Sequence, residues 1–123
     1  MKTKWSEKST PQQRKATQEF MRRLQEKYPR EILSAILFGS VARGDFTSDS
    51  DIDVLLVVEK LLPDLKWEMR RVASRVSLEH DVIFNLHFQS RNEWERQEVE
   101  KRTLWRNVER DGVLLMPLLA SAS

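Results

Sequence analysis

Leu37-Phe38-Gly39-Ser40-Val41-Ala42-Arg43-Gly44-Asp45, followed by Ser48-Asp49-Ser50-Asp51-Ile52-Asp53-Val54, is the stretch on which the reading of this chain turns. In its second half, Ile52 to Val58 is a β-rich run flanked by acids at its start. Strand side chains alternate between faces, so Asp51 and Asp53 project together while Ile52 and Val54 point into a core. Two neighbouring carboxylates repel each other unless a cation lies between them, and hard oxygen ligands select Mg²⁺ or Mn²⁺. In the first half, Ile32 to Phe38 is mostly apolar and reads as a buried strand ending at Gly39. A glycine there permits close backbone approach, and a helical turn beginning after it offers free N–H groups to phosphate oxygens. Ser40 adds a hydroxyl at that turn. Arg43 adds a planar guanidinium that either neutralises phosphate or pairs with a nearby aspartate.

Working outward, Thr10-Pro11-Gln12-Gln13 combines a capping box with proline at the first helical position, so a helix is expected to begin there. Phe20, Leu24 and Tyr28 share its apolar face, and Pro29 stops it. Pro63-Asp64 opens another helix with the stripe Leu65, Met69, Val72, Val76, running to about residue 79. Asp81 to Phe88 returns to strand character. Ser90-Arg91-Asn92-Glu93 is a second capping box, introducing a charged helix anchored by Trp94. Gly112 ends a final helical turn, and Val113 to Met116 is expected as a short edge strand. Trp67, Trp94 and Trp105 read as packing residues, whereas Trp5 has no obvious place. The order α-β-β-α-β-α predicts an α+β (mixed α/β) structure, a small mixed sheet packed with helices.

The chain has 123 residues, 40% apolar and 33% charged, which is enough for one domain. Residues 1–9 are expected as a flexible polar lead-in, 10–119 as the domain and 120–123 as a flexible tail. No cysteine is present, which removes disulfides, thiolate metal sites and cysteine nucleophiles. No run approaches a membrane span, and the basic start leads into no apolar segment of a signal peptide, so a soluble, cytoplasmic protein is expected. A net charge of +2 argues against a dedicated nucleic-acid binder, and direct nucleic-acid binding is not expected. Charge is uneven: residues 1–31 carry nine bases and four acids, whereas residues 44–64 carry six acids and one base, Lys60. An acidic pocket beside a basic flank suits a site holding a divalent metal and receiving polyphosphate.

An EF-hand is the first rival reading, because Asp49, Asp51 and Asp53 match its first three alternating ligands. It fails at the sixth position, Val54 in place of Gly, and at the twelfth, Lys60 in place of Glu.

Gly39-Ser40, ten intervening residues and Asp51-x-Asp53 together resemble the nucleotidyltransferase superfamily that includes DNA polymerase beta, in particular its minimal nucleotidyltransferases. The Ala-Arg-Gly extension and the Ser-Asp-Ile-Asp spelling strengthen the match. The resemblance implies the polymerase beta-like fold and transfer of a nucleoside monophosphate from ATP or another NTP to an acceptor hydroxyl. It implies Gly39 and Ser40 as triphosphate-binding residues and Asp51 and Asp53 as catalytic metal ligands. It further implies a third carboxylate on a neighbouring strand. Asp81, at the head of the third strand, is the candidate; if Asn85 faces the metals instead, that carboxylate is absent. His87 reads as a surface or partly buried histidine. By the same resemblance the acceptor is a partner protein, with a HEPN-type helical protein in a toxin–antitoxin pair as the leading choice. A second reading is a binding module that neutralises a partner by contact. The apolar Leu114-Leu115-Met116-Pro117-Leu118-Leu119 either packs on the sheet or forms an interface, and a homo-oligomer is left open.

Overall fold

A computed structural model describes residues 1–116. Four strands form one sheet in the order β3-β2-β1-β4: β1 (Ile32–Phe38), β2 (Ile52–Val58), β3 (Phe84–Ser90) and β4 (Val113–Met116). β1 pairs antiparallel with β2 and β4, while β2 and β3 are parallel. A parallel neighbour requires a crossover, and α3 (Pro63–His80) supplies it. The sheet is therefore mixed, as expected for the α+β class.

Both predicted capping boxes form. Thr10 Oγ1 accepts from the Gln13 N–H at the start of α1 (Pro11–Lys27), and Ser90 Oγ accepts from the Glu93 N–H at the start of α4 (Arg91–Glu100). α1 and α3 cover one face of the sheet. Phe20 and Leu24 of α1, Tyr28 at its C-cap, and Met69, Val72 and Val76 of α3 are buried there against Leu37, Ile52, Val54, Leu56 and Val58. Each fully buried aliphatic side chain contributes about 1.5–3 kcal/mol, so this layer dominates the stability. Trp67, expected to pack, is 62% exposed. It lies two residues from both Leu65 and Met69, which places it on the opposite side of the helix from their stripe.

The second face is thinner. Ile36, Phe38, Leu55, Val57 and Val108 form its buried cluster, with Trp94 and Leu104 packed alongside. These last three come from α4 and α5 (Thr103–Asp111), which stand where one charged helix and a final turn were expected. The break falls at Lys101, whose φ of 50° ends α4 in the left-handed conformation. β4 then pairs with β1, as predicted for an edge strand.

Within residues 1–9, Lys2 pairs with the β4 edge. Lys2 donates to the Gly112 carbonyl and accepts from the Leu114 N–H, Trp5 packs on the core, and Ser9 is buried. The expected domain end at residue 119 and the tail 120–123 lie outside the described residues, as do Pro117, Leu118 and Leu119 of the apolar stretch.

Candidate active site

β1 delivers the chain to Gly39 in extended conformation, and α2 (Gly39–Arg43) begins there at once. Gly39 has a φ of +78°, in the region that only glycine enters at low cost. Antiparallel pairing sets Phe38 opposite Asp53 and so brings the Gly39 backbone beside the Asp53 side chain. A Cβ added to Gly39 would stand 2.4 Å from Asp53 Oδ2. The glycine is thus required twice, by its backbone conformation and by the carboxylate against it. Ser40 follows, half-buried; its carbonyl accepts from the Gly44 and Asp45 N–H groups and closes the turn. Gly44 ends α2 at a φ of +85°.

Ile52 and Val54 are buried in the α1/α3 layer, so alternation turns Asp53 toward the face that α4 and α5 cover. Asp51 stands immediately before β2 and is half-buried, as is Asp53. The loop leading to them is tied by Thr47 and Ser50: the Thr47 N–H donates to Ser50 Oγ at 2.9 Å and the Ser50 N–H to the Thr47 carbonyl at 3.1 Å.

Arg43 takes the second of its two expected roles. Its Nε donates to Asp45 Oδ2 at 3.0 Å and its Nη1 to Asp111 Oδ2 at 3.4 Å, an anchor from α2 to α5. Asp111 is buried, and hydrogen bonds from Arg110 and then Arg43 hold its carboxyl below the usual carboxylate range against the opposing effect of burial. The hydrogen bond to Asp45 leads in holding the Arg43 guanidinium above its ordinary value.

The expected third carboxylate is displaced. Asp81 is not at the head of β3, which begins at Phe84; it caps α3 in the left-handed conformation at a φ of 54°. Its N–H donates to the Ser77 carbonyl and its own carbonyl accepts from Gln12 Nε2 at 3.2 Å. The parallel register sets Asn85 beside Asp53 and His87 beside Leu55. Asn85 Nδ2 donates to Asp53 Oδ1 at 2.9 Å, and His87 Nε2 lies 3.3 Å from the same oxygen. The His87 ring is held edge-on against Phe38, with centroids 4.9 Å apart. The structure therefore joins Gly39, Asp53, Asn85 and His87, with Ser40 and Asp51 flanking them, while Arg43 is engaged with Asp45 and Asp111 and Asp81 serves a helix end. His87 is partly buried, in keeping with its reading, and stands at Asp53, a neighbour that reading did not give. Its signal was the alternation Asn85-Leu86-His87, the same polar-apolar-polar pattern as Asp51-Ile52-Asp53.

Two carboxylates, with no thiolate in the chain, fit a hard divalent cation such as Mg²⁺ or Mn²⁺. Among the described residues no group of three His, Asp or Glu side chains is placed to hold one. Among the described residues, too, no helix is long and apolar enough to cross a membrane.

Comparison with known proteins follows the same lines. The nucleotidyltransferase domain family matches residues 17–108, a span containing every residue of the site. Two Methanocaldococcus jannaschii proteins carry the name "Putative protein adenylyltransferase". MJ0141 is 46% identical over 52 residues, covering 41% of this chain and 52% of its own length. MJ0604 is 56% identical over 43 residues, covering 35% and 43%. The chain thus spans about half the length of the curated relatives it matches. Among solved structures, a mutant form of the toxin–antitoxin pair MntA-HpeT superimposes with a TM-score of 0.53 at 22% identity, over 80% of this chain and 70% of that one, a likeness of fold. With the glycine turn, the aspartate strand and the family match in agreement, this chain belongs to the nucleotidyltransferase domain family.

Proposed function

We propose that this protein transfers a nucleoside monophosphate, AMP from ATP, to a hydroxyl group on a partner protein. The carrying observation is the packing of Gly39 against Asp53, which joins a backbone turn suited to phosphate to a carboxylate pair suited to a cation. In the reaction, the acceptor oxygen attacks the α-phosphorus and forms a new P–O bond. The bond from that phosphorus to the bridging oxygen breaks, pyrophosphate leaves with the bond electrons, and the hydroxyl proton passes to solvent. Gly39 and Ser40 hold the triphosphate, Gly39 by allowing close backbone approach and Ser40 through its hydroxyl. Asp51 and Asp53 hold Mg²⁺ or Mn²⁺, which when bound offsets charge on the triphosphate. Arg43 reaches phosphate only by leaving Asp45, an exposed partner, and giving up its longer contact to buried Asp111.

A protein acceptor is the choice that the family resemblance supports. A HEPN-type helical partner in a toxin–antitoxin pair is the leading choice. The toxin–antitoxin setting of the solved fold neighbour is in keeping with it. A second reading, a binding module with weak or no catalysis, draws on one observation: β3 presents Asn85 to Asp53 where the resemblance implies a carboxylate.

ATP labelled at the α-phosphorus separates the readings when incubated with Mg²⁺, this chain and a lysate of its host lacking the chain. Catalysis predicts α-label on protein, no γ-label, and loss of labelling in Asp51→Ala/Asp53→Ala. Equal labelling by wild type and double variant overturns it.

A further inference from the structure

The two oxygens of Asp53 have different neighbours. Oδ2 faces the backbone of Gly39, where no side chain intervenes. Oδ1 receives the Asn85 amide at 2.9 Å and has His87 Nε2 at 3.3 Å. Asn85 Nδ2 also lies 3.3 Å from that imidazole nitrogen, so the three groups form one small cluster on the exposed side of β3.

An amide N–H directed at a carboxylate carries partial positive charge and competes with a cation for that oxygen. Reversing the amide would present a neutral carbonyl oxygen, which can ligate but brings no charge. The carboxylates of the site therefore remain two, Asp51 and Asp53, which with the triphosphate oxygens make the anionic ligand set of one divalent cation. A second divalent cation about 3.5–4 Å away, the spacing of two-metal sites, is repelled strongly by the first and needs an anionic protein ligand beyond the two carboxylates they would share. Neither β3 nor any other described element supplies a third carboxylate at this point.

We infer that the site binds a single divalent cation together with the triphosphate, because Asn85 stands where a second cation would need a carboxylate. This rests on the reading that Asp51 and Asp53 hold the metal. It assigns Asn85 a positioning role toward Asp53 through its amide, and the metal count follows from the carboxylate that this position lacks.

The test is a Mn²⁺ titration of the full chain saturated with a non-hydrolysable ATP analogue, with free Mn²⁺ followed by electron paramagnetic resonance. Wild type is expected to take up one Mn²⁺ per chain. Asn85→Asp is expected to take up two, the second binding at least 10-fold more tightly than any second ion in wild type, and Asn85→Ala to remain at one. Two equally tight ions in wild type would overturn the inference while leaving the metal reading intact, as would a count of one in folded Asn85→Asp. Wild type retaining no Mn²⁺ would overturn the metal reading, and the inference with it. Should Asn85→Asp fail to fold, the wild-type count decides.

Discussion

Gly39 and Asp53 are packed backbone against carboxylate, so closely that a Cβ on the glycine would stand 2.4 Å from Oδ2. The end of β1 and the start of β2 are thereby one structural unit, and whatever binds at the glycine turn meets the aspartate. Gly39→Ala is expected to lower the unfolding free energy by about 1–3 kcal/mol, from the left-handed backbone together with displacement of the carboxylate. Urea denaturation checks it, and unchanged stability would show that Asp53 can move aside freely.

Asn85, the alternative the sequence left open, stands at Asp53 in place of Asp81. Because Asp81 caps α3 and Asn85 meets Asp53, Asp81→Asn is expected to leave nucleotide transfer within about two-fold of wild type, and stability too, since asparagine tolerates the left-handed conformation. Transfer assays on Asp81→Asn decide; a loss of 100-fold would return Asp81 to a catalytic role.

Glu19 links two arginines of α1, with Arg22 Nη2 at 2.6 Å and Arg23 Nε at 2.5 Å. Hydrogen bonds from Arg22 and then Arg23 lower its carboxyl to about 2 from an ordinary 4.5. A depressed carboxyl stabilises the fold above its unfolded value, and that stabilisation fades as pH falls from 4.5 toward 2. Glu19→Gln is expected to lose under about 1 kcal/mol at neutral pH, as these pairs are solvent-accessible. The loss should shrink in 1 M salt. Wild type and variant should converge in acid, which thermal melts across pH 2–7 would show.

The N-terminal residues add a contact whose loss is measurable. The Leu114 N–H donates to the Lys2 carbonyl at 2.8 Å, and a Cβ on Gly44 would meet Ser6 Oγ at 2.4 Å. Removing residues 1–9 is expected to deprotect the Leu114 amide at least 10-fold in hydrogen exchange while β2 amides change less. Equal protection in both forms would mean that the segment does not hold the β4 edge.

Much of this was legible in the residues. The apolar runs at 32–38 and 52–58 locate β1 and β2, and both capping boxes locate their helices, because those signals are local. Gly39-Ser40 with Asp51-x-Asp53 locates the site for the same reason. Less legible was the start of β3: Val82 and Ile83 are β-branched and read as strand, yet they belong to the turn leaving the α3 cap. Lys101 gives no composition signal for its left-handed φ, so the break between α4 and α5 was not placed and α5 read as no more than a final turn. The pairing of Asp53 with Asn85 depends on the register of two strands joined through α3, a long-range property that no local motif encodes.

The central claim, that Gly39 and Asp53 form one site for a metal-bound nucleoside triphosphate, is tested most directly by calorimetric titration with a non-hydrolysable ATP analogue. The account predicts binding in Mg²⁺ that weakens at least 10-fold when the metal is chelated and to the same degree in Asp51→Ala/Asp53→Ala. Binding of equal strength in wild type, chelated wild type and the double variant would contradict it.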